Sequence, residues 1–262
     1  MISRFFYLIC SLQVILLFSS CSSTKKEVEK GLHSAQLKEY DVPLFDDSRT
    51  RSVPITIYDN NRSDQGKKIV IFNHGYGFNK GGDYKVYSKL CKFLAKSNYF
   101  VISIQHELPN DDLLSMEGDL YKTRMPNWQK GESNINFVIN ECRKKYPYLN
   151  WKDITLVGHS NGGDMAMLFA KNHRDLIKNV VSLDHRRFPI PRVAKPRILS
   201  LRGCDYPADS GVIPTPEEYT IYGIKIVYLK YMRHTDMDDK GTQEQSDEIN
   251  KQIINFLNER LK

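Results

Sequence analysis

The sequence predicts an α/β domain with a mostly parallel central sheet and helices on both faces. Three observations predict it. Apolar, β-branched runs alternate with helical patterns along most of the chain, as strands joined by crossover helices require. One of these runs, Ile69-Val70-Ile71-Phe72, is continuously apolar rather than alternating, which suits a strand covered on both sides. The chain beyond a short leader is long enough for one domain with a full core.

A lead-in rich in β-branched residues spans Val53 to Tyr58, and the strand at Lys68 to Phe72 follows. Val86, Leu90, Phe93 and Leu94 then share one helical face. Phe100 to Ile104 is the next strand. Residues 108–131 read as a polar loop containing Pro109, Pro126 and Gly131. Ser133 is placed to cap a helix whose apolar face is Ile135, Val138, Ile139 and Cys142. The strand Ile154 to Val157 leads into a helix from about Asn161 to His173. Three further strands are predicted at Asn179 to Leu183, Arg197 to Leu201 and Lys225 to Leu229. Thr242-Gln243-Glu244-Gln245 is a capping box that opens a last helix with the stripe Ile249, Ile253, Phe256 and Leu257.

The N-terminus reads as an export signal over residues 1–20. Arg4 gives a basic start, Phe5 to Phe18 is a mostly apolar run too short to span a membrane comfortably, and small residues follow. Those residues, ahead of Cys21, resemble a bacterial lipoprotein signal, although Phe18 stands where that pattern usually has Leu. The expectation is export from the cytoplasm and membrane attachment through a lipidated Cys21, with plain secretion as the alternative. Residues 21–40 are expected to form a flexible tether and residues 41–262 the folded domain.

Net charge is +7, and +6 without Arg4. The densest basic stretch, Arg186 to Arg197, has no aromatic ladder, which argues against nucleic-acid binding. Cys91, Cys142 and Cys204 remain beyond the leader, with no CxxC spacing. Structural zinc is therefore not expected, and Cys91 and Cys142 read as buried thiols.

The chemistry centres on Gly158-His159-Ser160-Asn161-Gly162, a G-x-S-x-G pattern between a strand and a helix. A nucleophilic serine there stands on a crowded turn whose flanking positions must be small. Acyl transfer also needs two preorganised N–H donors for the developing oxyanion. Asn161 offers one backbone N–H. The loop Asn73-His74-Gly75-Tyr76-Gly77, directly after another strand, offers a second at Tyr76. No dinucleotide-binding or P-loop pattern is present, and no cofactor is expected.

His74-Gly75 after one strand and Gly158-x-Ser160-x-Gly162 after another resemble the α/β-hydrolase superfamily, over nearly all of the chain beyond the leader. That resemblance implies the chain order nucleophile, acid, histidine. His234, just past the last strand, fits the histidine. Asp205, after Arg202-Gly203-Cys204, is the preferred acid, with Asp209 and then Asp184 as alternatives. Asp205 follows Gly203 by two residues where the family more often has three.

Gln105-His106-Glu107 reads either as pocket lining or as a hydrogen-bonded core trio. His234-Thr235-Asp236 with Asp238 and Asp239 lacks a second histidine at ligand spacing, so no metal site is expected. About a dozen residues separate Leu183 from the next strand, too few for a large lid domain. The expectation is an open site rimmed by residues 108–131, including Trp128, that hydrolyses an ester or similar acyl compound of small size. A catalytically silent binding protein, and an acyltransferase or peptidase using the same triad, are the alternatives.

Overall fold

The structure is a computed structural model and describes residues 36–62 and 66–259. The export signal, Cys21 and most of the tether lie outside the described residues. Among the described residues there are ten strands: β1 (Lys38–Val42), β2 (Phe45–Asp46), β3 (Arg51–Ser52), β4 (Ile55–Asp59), β5 (Lys68–Asn73), β6 (Tyr99–Ile104), β7 (Asn150–His159), β8 (Asn179–Leu183), β9 (Arg197–Arg202) and β10 (Lys225–Tyr228). The described residues also form five α-helices: α1 (Ser88–Lys96), α2 (Leu120–Lys145), α3 (Asn161–Asn172), α4 (Pro216–Tyr222) and α5 (Gln243–Asn258).

Eight strands form one sheet in the order β1-β4-β6-β5-β7-β8-β9-β10. β1 and β4 pair antiparallel, as do β4 and β6; every pairing from β6 to β10 is parallel. β2 and β3 make a separate short hairpin. The strand period of two divides the core between the faces. In β5, Ile69 and Ile71 join Trp128, Ile135, Val138 and Met165 under α2 and α3. Val70 and Phe72 join Leu90, Leu94, Ile253 and Phe256 under α1 and α5. Among the described residues no helix is long and apolar enough to cross a membrane.

The expected boundaries change in four places. Residues 38–40 belong to the sheet, not to a tether: β1 pairs with β4, with Tyr40 opposite Ile57. Four of its five residues face solvent, so this edge strand needs no apolar pattern and is held by backbone hydrogen bonds. The polar stretch before residue 131 is largely helix, because α2 starts at Leu120, where Asp119 Oδ1 accepts from Lys122 N. Pro126 sits inside it, and the packing of Tyr121 and Trp128 on Phe188 outweighs the lost hydrogen bond. Ser133 is therefore mid-helix and donates to the carbonyl of Gln129 at 2.9 Å instead of capping. Val86 precedes α1 and is exposed rather than part of its buried face. The predicted Gln245 capping box is formed, and α5 buries Ile249, Ile253, Phe256 and Leu257.

The connection from β8 to β9, residues 184–196, contains no helix, and among the described residues no large lid domain covers the carboxyl ends of the central strands. Those ends, β5, β7 and β8 above all, carry the site.

Candidate active site

Ser160 occupies the turn between β7 and α3 with φ 51° and ψ −122°, a region that non-glycine residues rarely adopt. The turn is held by Ser160 N donating to Leu183 O at 2.9 Å. Its glycines are required by close backbone approach. A Cβ on Gly162 would stand 2.3 Å from the Asn73 carbonyl oxygen, and one on Gly158 would stand 2.4 Å from Gly162 O.

His234 opens a short 3-10 turn after β10. Its Nε2 accepts from Ser160 Oγ at 3.0 Å, and its Nδ1 donates to Asp184 Oδ2 at 2.6 Å. The carboxylate can only accept, so the proton belongs on Nδ1 and Nε2 is free to act as a base. Asp184 is completely buried at the end of β8. Its Oδ1 accepts from Gly203 N at 3.0 Å and lies 3.1 Å from Arg202 Nη2. Burial pushes this carboxyl up. The His234 hydrogen bond, the Arg202 charge and the Gly203 N–H together outweigh it and hold Asp184 below the usual carboxylate range.

The preferred acid, Asp205, is not beside the imidazole. Its Oδ1 accepts from the backbone N–H of His234 at 2.8 Å, so it holds the histidine's main chain. Asp209 pairs with Arg187 at 3.0 Å and is half exposed. The correction has a topological cause: β8 lies directly beside β7, so Asp184, the first residue past its end, stands next to the Ser160 turn where the imidazole must sit. Gly203 leaves the room this needs, since a Cβ there would stand 3.3 Å from Asp184 Oδ2.

Asn161 begins α3, and its backbone N–H is one of those a helix N-terminus leaves without an intrahelical partner. The loop bearing Tyr76 lies against the serine: a Cβ on Gly75 would be 3.4 Å from Ser160 Cβ. Tyr76 Oη accepts from Leu114 N at 3.0 Å, tying this loop to the segment before α2. Trp128, expected on the rim, is wholly buried and donates from Nε1 to Asn161 Oδ1 at 2.8 Å.

Two supporting residues, His159 and Tyr87, were not singled out from sequence. Burial, with a smaller contribution from the charge of His234, pushes His159 down to about 3, so its ring is neutral near pH 7. Its Nε2 donates to His234 O at 3.1 Å, and its Nδ1 accepts from Tyr87 Oη at 2.7 Å. Tyr87 Oη in turn accepts from Gly75 N at 3.1 Å. One hydrogen-bonded chain thus joins the Gly75 loop to the histidine loop. Only the variable position of the serine motif hinted at His159. Gln105, His106 and Glu107 are the buried trio, with His106 N donating to His74 Nε2 at 2.9 Å. Glu107 Oε1 also accepts from Asn161 Nδ2 at 2.9 Å and from Asn127 Nδ2 at 3.2 Å. In the acidic loop after His234, Asp239 caps α1 by accepting from Ser88 N at 2.8 Å and Lys89 N at 2.9 Å.

A serine on a strand-to-helix turn, with a histidine and a buried carboxylate from later strand ends, arises here on an eight-stranded sheet flanked by helices. The chain has the α/β-hydrolase fold. Solved structures bear this out. It resembles a fungal esterase from Rhizomucor miehei at 14% identity and TM-score 0.59, covering 90% of this chain and 88% of that one. It also resembles a dienelactone hydrolase-like promiscuous phosphotriesterase from metagenomic libraries at 12% identity and TM-score 0.64, covering 84% and 97%. A Pyrobaculum calidifontis esterase matches at 14% identity and TM-score 0.59, covering 84% of each chain. Comparison by sequence finds no matching family model and no matching curated protein.

Proposed function

We propose that the protein is a serine hydrolase that cleaves an ester or related acyl bond through Ser160, His234 and Asp184. One observation carries this reading: His234 bridges Ser160 Oγ at 3.0 Å and the buried Asp184 carboxylate at 2.6 Å. In that arrangement His234 takes the Ser160 proton as Oγ attacks the carbonyl, and Asp184 stabilises the imidazolium. The N–H groups of Asn161 and Tyr76 receive the oxyanion. His234 then returns the proton to the departing alcohol, and water releases the acyl group by the same path. Esterases and hydrolases among the structural neighbours support the choice of bond.

A fluorophosphonate probe tests it. Wild-type protein at pH 8 should label and Ser160→Ala should not. Absent labelling of folded wild-type protein, or equal labelling of the variant, refutes the proposal. We further propose export and attachment to a membrane through lipidated Cys21, resting on the leader pattern. Mass spectrometry of the mature N-terminus should find an acylated Cys21, and an unmodified N-terminal residue there overturns that part.

A further inference from the structure

Three arginines, Arg124, Arg186 and Arg187, lie on two segments that pack on each other, one of them running on directly from Asp184. Tyr121 and Trp128 of α2 meet the Phe188 ring at 5.9 and 5.8 Å. Arg124 lies between them in sequence, three residues after one and four before the other, and so shares their helix face. That face meets the segment running on from Asp184. This segment is itself fixed to the base of α3, because Asp164 Oδ1 accepts from Arg187 N at 3.0 Å and Phe188 N at 2.8 Å. Arg186 places its guanidinium 4.5 Å over the Tyr206 ring, and Tyr206 stands edge-on to His234 at 6.0 Å.

These cations are poorly neutralised. Among the described residues neither Arg124 nor Arg186 forms an ion pair with a carboxylate. Arg124 donates from Nε to Ser115 O at 2.9 Å and from Nη2 to Met116 Sδ at 3.3 Å. Arg187 pairs only with half-exposed Asp209, and its buried Nε has no hydrogen-bond partner. Burial, and then the like charges of Arg187 and Arg186, push Arg124 below its usual range against Asp164 and Asp209. Partly buried guanidiniums without counter-ions are costly, and an anion with planar oxygens relieves that cost through charge-assisted hydrogen bonds.

We propose that Arg124, Arg186 and Arg187 form an anion subsite beside Ser160, so that the substrate is an ester bearing a carboxylate or a phosphate near the scissile bond. The proposal rests on the serine-hydrolase reading for its chemistry, but the subsite can be tested without turnover. Calorimetry on Ser160→Ala would compare monomethyl glutarate, the phosphate monoester of methyl 4-hydroxybutanoate, and neutral methyl pentanoate. One of the anions should bind about tenfold or more tightly than the neutral ester, and the tighter one tells carboxylate from phosphate. Adding Arg186→Gln or Arg124→Gln should remove about tenfold of that preference, whereas Arg186→Lys should keep most of it. With wild-type enzyme, p-nitrophenyl hydrogen glutarate should exceed p-nitrophenyl pentanoate in kcat/KM, and the ratio should fall toward one in both Gln variants. Equal binding of all three compounds, or a preference untouched by both Gln variants, overturns the subsite. Selective binding without hydrolysis of either ester leaves the subsite standing and refutes only the hydrolase.

Discussion

Replacing Asp184 by asparagine should nearly abolish turnover while leaving the fold intact, because its neighbours dictate which way an amide must point. Oδ1 accepts from Gly203 N at 3.0 Å and lies 3.1 Å from the cationic Arg202 Nη2. The amide NH2 cannot face them, so in Asp184→Asn the carbonyl oxygen takes that position. The NH2 group then meets His234 Nδ1, which in wild type lies 2.6 Å from the other carboxylate oxygen. Nδ1 must become an acceptor, the ring proton moves to Nε2, and Nε2 can no longer take the Ser160 proton. A wrong tautomer of this kind costs about four orders of magnitude in kcat, or roughly 5.5 kcal/mol of transition-state stabilisation. Asp205→Asn differs, because an amide oxygen can still accept from His234 N. It should cost less than about tenfold. Steady-state hydrolysis of p-nitrophenyl esters measures both, with circular-dichroism melts to confirm folding. If Asp205→Asn falls by thousands and folded Asp184→Asn stays within tenfold of wild type, the assignment of the acid is wrong.

Four further substitutions probe the frame around the serine. Asn161→Ala strands the buried Trp128 N–H and leaves Glu107 Oε1 with only its Asn127 hydrogen bond; it should cost about 2–4 kcal/mol, read as roughly 4–16 °C in Tm at this size. Gly162→Ala must displace the backbone carbonyls of Asn73 and His74, and kcat should drop by about a hundredfold or more as the Tyr76 loop moves. In contrast, Gly131→Ala meets only the mobile end of Met165, and melts should show a change under about 2 kcal/mol. Asp164 is pushed by burial from 3.8 to about 6, against the N–H groups of Phe188 and Arg187. The folded state thus holds this proton more tightly than the unfolded one, a contribution present below pH ~4 and lost as pH rises through about 6. Asp164→Asn removes the titration, so its stability relative to wild type should rise between pH 4 and pH 7 by up to roughly 3 kcal/mol; a pH-independent difference in urea melts would contradict this.

Periodicity and local motifs determined much from sequence alone. Apolar, β-branched runs located β5 to β10, the Thr242 capping box located α5, and the glycines around Ser160 marked a crowded turn. These signals are local: a strand's burial, a helix's cap and a turn's need for small residues are written within a few positions. Edge strand β1 and the first part of α2 escaped because their hydrogen bonds and packing partners lie far away in sequence. α4 was marked by Thr215-Pro216-Glu217-Glu218, a proline-bearing capping box that went unread. Ser160 and His234 could be singled out because each follows a strand, and the structure brings them within 3.0 Å. The carboxylate could not be. Asp184, Asp205 and Asp209 all follow strands at the same end of the sheet, and only packing decides which one meets an imidazole. Strand order puts β8 beside β7, burial strips Asp184 of water, and Arg202 with Gly203 keeps it ionised and aimed at His234. The sequence by itself offered three carboxylates; the tertiary structure brings Asp184 to His234, through desolvation and neighbouring charge that no local pattern encodes.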